Sequence, residues 1–275
     1  MQADIYNPTP SRLETILPEG TTIVLVGIVI FTFFSAAITA QRIFTQTRDE
    51  LVQRKQFITS LAHQIRTPLA VLLTNNEVAL YSVQDQETKK VLDDNIEEVK
   101  NITDILNNLL LLNKLNSKES LTFEPVITQP IIKSVIKRLA PYAEKHNITV
   151  EQSTDATSAV YGNIMALEQA LYNLIKNAMI YSKPEGGTVN VIQSIIDQQL
   201  IITVEDTGIG IAEKDLEHIF DPSFIARHDD LHQSKGSGLG LPLVAAVIEL
   251  HQGNIHTTSI KGVMTRVTLQ LPVTQ

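Results

Sequence analysis

The chain has 275 residues, 43% of them hydrophobic and 19% charged, which is enough for two soluble modules and a short appendage. A formal net charge of -8, with no basic block, repels a phosphate backbone and argues against nucleic-acid binding. With no cysteine, disulfides, thiolate zinc sites and a thiol nucleophile are excluded together.

Residues 1–20 read as a short extracytoplasmic segment, too small for a folded sensor. Thr21 to Ala40 contains no charged residue and carries the run IVLVGIVIFTFF. Twenty apolar residues at about 1.5 Å each span a hydrocarbon core of about 30 Å, so a single transmembrane helix is expected at 21–40. A cleaved signal peptide is the competing reading, with Ser35, Ala36 and Ala37 as its cleavage site. That reading needs a basic start, whereas Asp4, Glu14 and Glu19 outnumber Arg12. Arg42, Arg48, Arg54 and Lys55 follow the span and place the remainder in the cytoplasm.

From Gln41 the spacing predicts a helix, with a signalling segment over 41–56 and a helical hairpin over 57–116. Phe44, Thr47, Leu51, Arg54, Ile58, Leu61, Ile65, Pro68 and Leu72 alternate steps of three and four, a heptad seam. A second run from about Gln86 shows Leu92, Val99, Ile102, Leu106 and Leu109, with a turn between the two at Tyr81 to Asp85. Narrow apolar stripes of this kind are buried when two hairpins pair as a four-helix bundle, so a homodimer is expected. Periodicity alone equally allows an antiparallel coiled coil without chemistry.

After a linker at 117–122, residues 123–275 alternate helix and strand. Helices are expected at Thr128 to His146, Asn163 to Ser182 and Leu241 to His251. Strands are expected at Ile148 to Gln152, Thr188 to Ile196 and Leu200 to Glu205, with a closing hairpin at Asn254 to Ser259 and Met264 to Leu271. The fold class is therefore multidomain: a transmembrane helix, a helical-hairpin bundle and an α+β sandwich of mostly antiparallel sheet.

His63 falls on the water-facing side of the first helix, where an imidazole can act as a nucleophile when unprotonated. Thr67 shares its face, and Pro68 weakens the helix one turn beyond. By itself this is an ordinary surface histidine. Asp206-Thr207-Gly208-Ile209-Gly210-Ile211 leaves a strand with a carboxylate able to accept from a purine amine, and with glycines that let a base approach the backbone. Gly236-Ser237-Gly238-Leu239-Gly240-Leu241 opens a helix whose free N–H groups suit phosphate. Either segment alone could be a tight turn. Asn173 and Asn177 share a helix face, and an amide oxygen there could complete a magnesium shell or be merely solvated. Phe220 to Lys235 reads as a mobile lid.

In order, these segments resemble the sensor histidine kinase family: LAHQIRTPLA its phosphoacceptor box, NLIKNAMIYS its asparagine box, EDTGIGI and GSGLGL its glycine boxes, and IFDPSF its phenylalanine box. The ending, ELHQGNIHTTSIKGVMTRVTLQLP, is similar to the family's closing helix and hairpin. The resemblance implies a phosphotransfer bundle joined to a Bergerat-type ATP-binding domain, on a single-pass protein of the bacterial cell membrane. By that match His63 is the phosphoacceptor, with Gln64 and Thr67 beside it. ATP and Mg2+ are the expected cofactors, with Asn177 the metal ligand and Asp206 the adenine contact. Asn173, Tyr181, Gly208, Gly210, Ile211, Phe220, Gly236, Ser237, Gly238, Leu239, Gly240 and Leu241 are the remaining nucleotide-site residues. The phosphoryl group would pass to an aspartate of a separate response regulator, with phosphatase activity expected as well.

Three departures stand out. Gln64 replaces an acidic residue, Ile180 replaces a lysine that would touch phosphate, and Gln252 replaces a glycine before Gly253. Lys176, Arg227 or Lys235 are the cations that could stand in for the missing lysine. Related ATP hydrolases carry a glutamate where this chain has Asn173, which favours transfer to an internal acceptor over hydrolysis. The alternative is a catalytically silent ATP-binding membrane regulator of another kinase.

Overall fold

The computed structural model describes residues 19–116, 121–154, 158–183, 185–226 and 237–274. The expected extracytoplasmic segment up to residue 18, linker residues 117–120, and Arg227, Lys235 and Gly236 lie outside the described residues. Two compact units are distinguished, Met1–Phe57 and Ile58–Gln275.

In the first unit, helix α1 (Glu19–Ser82) begins. Its side chains at 19–32, and those of Phe44, Thr47, Leu51 and Arg54, are outside the described set. Thr39 and Thr45 return their hydroxyls to the carbonyls of Ser35 and Gln41, at 2.8 and 3.1 Å. Such back-bonding keeps a hydroxyl satisfied on an apolar helix. Among the described residues no helix is long and apolar enough to cross a membrane.

In the second unit α1 ends at Ser82 and α2 (Gln86–Asn116) returns. Asp85 caps α2, its carboxylate accepting from the Thr88 backbone N–H at 2.8 Å and the Thr88 hydroxyl at 2.7 Å. Those bonds hold the Asp85 carboxyl below its ordinary value. Within the hairpin Ala62 and Leu69 of α1 and Ile96 and Val99 of α2 are buried. The seam residues Leu61, Ile65 and Leu72 are instead 39%, 40% and 50% exposed. The stripe recognised by its heptad spacing therefore points away from the hairpin's own interior, one position over from the residues that pack within the chain.

Five strands form the main sheet, in the order β2 (Ile148–Thr154), β4 (Gly187–Ile196), β5 (Gln199–Asp206), β7 (Met264–Pro272) and β6 (Asn254–Ile260). The β2–β4 pair is parallel and the others antiparallel. Helices α3 (Thr128–Lys145), α4 (Ile164–Ile180) and α5 (Gly240–Leu250) pack on the sheet. Strand alternation sets the core: Leu200, Ile202 and Val204 of β5 and Val267, Leu269 and Leu271 of β7 all point inward. Helix α4 contributes ten buried residues, from Ala166 to Met179.

Sequence patterning did not reveal β1 (Glu124–Ile127) and β3 (Ala159–Gly162), which pair antiparallel as a separate two-stranded sheet. Four-residue strands carry too little alternation to register. Gln252 adopts φ 56°, a left-handed conformation for which the absent glycine would be the easier residue.

His251, at the end of α5, ties this small sheet to the main body. Its Nδ1–H donates to the Val247 carbonyl at 2.7 Å, and its Nε2 accepts the Asn163 backbone N–H at 2.9 Å. Phe123 lies against the ring at 5.2 Å between centroids. A Cβ at Gly162 would come within 2.5 Å of the imidazole, so only glycine leaves room there. Burial pushes the His251 pKa below its ordinary 6.5. The folded state thus resists a proton that the unfolded chain accepts. Its stabilising contribution is complete above pH 6.5 and is lost as pH falls through the window below it. Thermal melts from pH 7.5 to 5 should show a steeper acid loss of Tm in the native chain than in His251→Gln.

Candidate nucleotide site and phosphoacceptor

The alternation that buries Leu200, Ile202 and Val204 continues one step further to Asp206, which is 5% exposed at the end of β5. A carboxylate in that place is costly without partners. Asp206 accepts the Gly208 N–H at 2.9 Å, yet burial outweighs this bond and raises its pKa to about 6. The chain then turns tightly beneath α4, with the Ile209 N–H donating to the Tyr181 carbonyl at 3.0 Å. A Cβ on Gly208 would lie 2.2 Å from that carbonyl oxygen, and Gly210 holds φ 63° against the Ile260 carbonyl. Both glycines are therefore required by the backbone's approach, as the loop's sequence suggested. Ile211 is fixed by its N–H to the Ser259 hydroxyl at 2.8 Å.

The second glycine segment enters α5. Gly238 holds φ 66° with its carbonyl accepting from the Ser223 N–H at 3.0 Å. Leu239 is the N-cap and offers no side-chain cap; its own N–H reaches the Ser237 hydroxyl at 3.3 Å. The opening N–H groups of α5 thus have no capping side chain, the arrangement that suits an anion.

These elements enclose one cavity of about 750 Å³. Asp206, Gly210 and Ile211 line it from the β5 side, and Asn173, Asn177 and Tyr181 from α4. Ser237, Gly238, Gly240 and Leu241 line it from the start of α5. Gly208 and Leu239 lie behind the lining, shaping the two turns. From the IFDPSF stretch it is Ile219 and Phe224 that reach the cavity, while Phe220 is not on its wall. Among the described residues no cluster of three or more His, Cys, Asp or Glu could hold a metal by itself. A magnesium ion here would need oxygens from a bound phosphate besides Asn177.

The far wall of the cavity belongs to α2, a neighbour that sequence reasoning did not foresee. Asn101, Asp104 and Asn108 fall on one face of α2 by their spacing of three and four. Asn108 and Asn173 are both buried and exchange amides, with Nδ2 to Oδ1 distances of 2.8 and 3.2 Å. Gln169 adds a bond to Asn108 at 2.9 Å. Asp104 accepts from Lys176 Nζ at 2.6 Å and from the Tyr172 hydroxyl at 2.8 Å, and Asn101 accepts from Lys176 at 3.0 Å. Arg138 stacks on the Tyr172 ring at 3.6 Å, and burial together with the neighbouring Asp104 carboxylate pushes that phenol's pKa well above its ordinary value. Ile180, where a lysine was expected, lines the cavity, and Lys176 is the cation nearest to Asn177 in sequence.

His63, Gln64 and Thr67 are exposed on α1, away from the cavity wall. Arg66, which the motif reading passed over, is half-buried. Its Nη2 donates to Asn107 Oδ1 at 3.0 Å, and its Nη1 stands 3.4 Å from His63 Nδ1. The reach of an arginine to a neighbour on the second helix has no signature in spacing alone.

Residues 53–118 match the His Kinase A (phospho-acceptor) domain. Residues 162–275 match the Histidine kinase-, DNA gyrase B-, and HSP90-like ATPase family. Among curated relatives, the sensor histidine kinase RppB of Synechocystis sp. is 29% identical over 256 residues, 91% of this chain and 55% of the relative. The sensor-like histidine kinase SenX3 of Mycobacterium tuberculosis is 31% identical over 80% of this chain and 54% of its own. The chain spans about half the length of these relatives. Among solved structures, full-length ShkA in complex with AMPPNP superposes with a TM-score of 0.61 at 22% identity, over 80% of this chain and 46% of that one. The Acinetobacter baumannii histidine kinase AdeS gives 0.53 at 24% identity, over 78% and 98%. Both show a shared fold.

The α2–α4 contact makes a direct prediction. Lys176 and Asp104 side chains are 14% and 16% exposed, so their pairing is only partly screened. A double-mutant cycle with Asp104→Ala and Lys176→Ala, followed by denaturant unfolding, should return a coupling of about 1–2 kcal/mol.

Proposed function

The chain carries the two domains of a histidine kinase, and we propose that it acts as a sensor kinase that phosphorylates its own His63 from ATP and passes the group to an aspartate of a separate response regulator. The observation that carries this reading is the cavity in which Asp206, Asn177 and the start of α5 converge, within the same compact unit as an exposed histidine. The cavity residues suit an adenine nucleotide. The Asp206 carboxylate accepts the exocyclic amine of the base, and the N–H groups of Gly240 and Leu241 face phosphate oxygens. Asn177 would hold magnesium together with those oxygens, and the ion would neutralise charge building on the leaving phosphate. In the transfer the lone pair of an imidazole nitrogen forms the N–P bond while the bridging P–O bond breaks and ADP departs. Most of the work left to the protein is positioning.

The amide of Gln64 takes no proton at neutral pH, so Gln64 is no base for the reaction. Phosphatase activity toward the same partner accompanies this reading. The exposed seam of Leu61, Ile65 and Leu72 supports a homodimer, because an apolar stripe pointing outward from the hairpin is covered when two hairpins meet. The uncharged stretch at 21–40 supports a single membrane span with the catalytic part on the cytoplasmic side. Gln64 and Ile180 favour the second reading, a silent ATP-binding regulator of another kinase.

One incubation separates the two. With γ-labelled ATP and magnesium, the full chain should take up acid-labile, alkali-stable label that is lost in His63→Ala. No label under any of a range of salt and magnesium conditions would leave only the silent regulator. The cavity has its own test. Because burial lifts the Asp206 pKa to about 6, the carboxylate is charged at pH 7.5 and increasingly protonated below pH 6. Calorimetric titration with a non-hydrolysable ATP analogue should therefore show affinity falling as pH drops from 7.5 to 5. Asp206→Asn should bind about tenfold or more weakly at pH 7.5 and lose that acid dependence.

A further inference from the structure

His63 is the one group whose chemistry the proposed reaction turns on, and its ring has a neighbour of fixed polarity. A guanidinium has only donors, so between Arg66 Nη1 and His63 Nδ1, at 3.4 Å, the hydrogen lies on the arginine and the lone pair on Nδ1. Arg66 is not a free rotor in this position. Its Nη2 is held across the hairpin by Asn107 of α2 at 3.0 Å, and the side chain is half-buried. With Nδ1 an acceptor, a neutral imidazole must carry its proton on Nε2. The other exchange that could set the ring, an acidic side chain next to it accepting from Nδ1–H, is missing because residue 64 is glutamine.

We propose that Arg66, braced by Asn107, is a positioning residue that holds Nδ1 of His63 unprotonated and so governs the lifetime of the phosphohistidine. The inference rests on the reading of His63 as the phosphoacceptor. Nδ1 is covered by the guanidinium, which leaves Nε2 as the nitrogen open to phosphorus. Attack from Nε2 needs its lone pair, hence a ring whose proton has moved to Nδ1, the arrangement Arg66 opposes. When the N–P bond has formed and ADP has left, the Nδ1 proton passes to water. Nδ1 is then again a lone pair, and Arg66 fits it without conflict. Loss of the phosphoryl group is helped by a proton on Nδ1, because a protonated ring is the better leaving group. Arg66 therefore disfavours the attacking tautomer before transfer and guards the product after it.

The same logic distinguishes two histidines of this chain. His251 is held with Nδ1 protonated by the Val247 carbonyl, whereas His63 is held with Nδ1 bare.

The test uses the full chain with 15N-labelled histidine, His63 being assigned by its absence in His63→Ala. Long-range 15N–1H correlation should show His63 in the Nε2–H form in the native chain. In Arg66→Gln it should become a mixture of tautomers, and in Arg66→Lys it should be intermediate. Phosphohistidine is then made chemically with potassium phosphoramidate, and its decay is followed by 31P spectra against His63→Ala. This route works whether or not the chain takes label from ATP, so it fails independently of the kinase reading. The His63 phosphoryl group should be lost on the order of tenfold faster in Arg66→Gln than in the native chain. Asn107→Ala, which leaves the arginine in place but unbraced, should move both readouts in the same direction by less. An unchanged tautomer in Arg66→Gln, or an unchanged decay rate, overturns the proposal, and Asn107→Ala decides the matter if Arg66→Gln does not fold.

Discussion

The buried exchange of amides between Asn108 and Asn173 is the contact on which the rest of the molecule's arrangement turns. An amide taken out of water is tolerated only when its oxygen and nitrogen are both answered, and here each side chain answers the other. That requirement fixes α4 against α2 in register, and with it everything α4 carries. Its apolar face, from Ala166 to Met179, builds the core over the sheet. Its polar face supplies Asn177 to the nucleotide cavity and Lys176 to Asp104. One helix of seventeen residues thus serves the core, the site and the join between bundle and ATPase fold.

The join also explains how a missing lysine is compensated only in part. Ile180 adds an apolar wall where a cation would have met phosphate, and Lys176 sits one residue before the proposed metal ligand. Yet Lys176, though it lines the cavity, has its ammonium engaged by Asp104 and Asn101 on the same wall. The acidic and amide groups of α2 would compete with a bound phosphate for the same ammonium. Closing on α2 and gripping a nucleotide through Lys176 are therefore mutually opposed demands on one side chain.

Much of this was legible in sequence because it depends on local chemistry. The period-two pattern through Leu200, Ile202 and Val204 locates β5 and puts Asp206 at its end. Glycines at 208, 210 and 238 announce backbone that no other residue follows. The order of the five motifs connects His63 to a cavity more than a hundred residues away. What sequence did not disclose depends on packing between elements. The strands β1 and β3 are too short for a pattern, and the wall that α2 gives to the cavity arises from polar residues that look like a solvated face. Arg66 looked like part of a motif string, and its role emerges only when Asn107 is seen to hold it. Of the heptad seam, Leu61, Ile65 and Leu72 point outward, while the hairpin buries the adjacent positions Ala62 and Leu69.

Tyr172 gives the bundle–ATPase join an optical consequence. The chain has no tryptophan and six tyrosines, so its intrinsic ultraviolet emission comes from phenols alone. A phenol hydrogen-bonded to a carboxylate, as Tyr172 is to Asp104, is a poor emitter, and the guanidinium over its ring keeps it enclosed. Separation of α4 from α2 would free that phenol and brighten it. One of the six phenols is thus a label-free reporter, dimmer than the rest while α2 and α4 are joined.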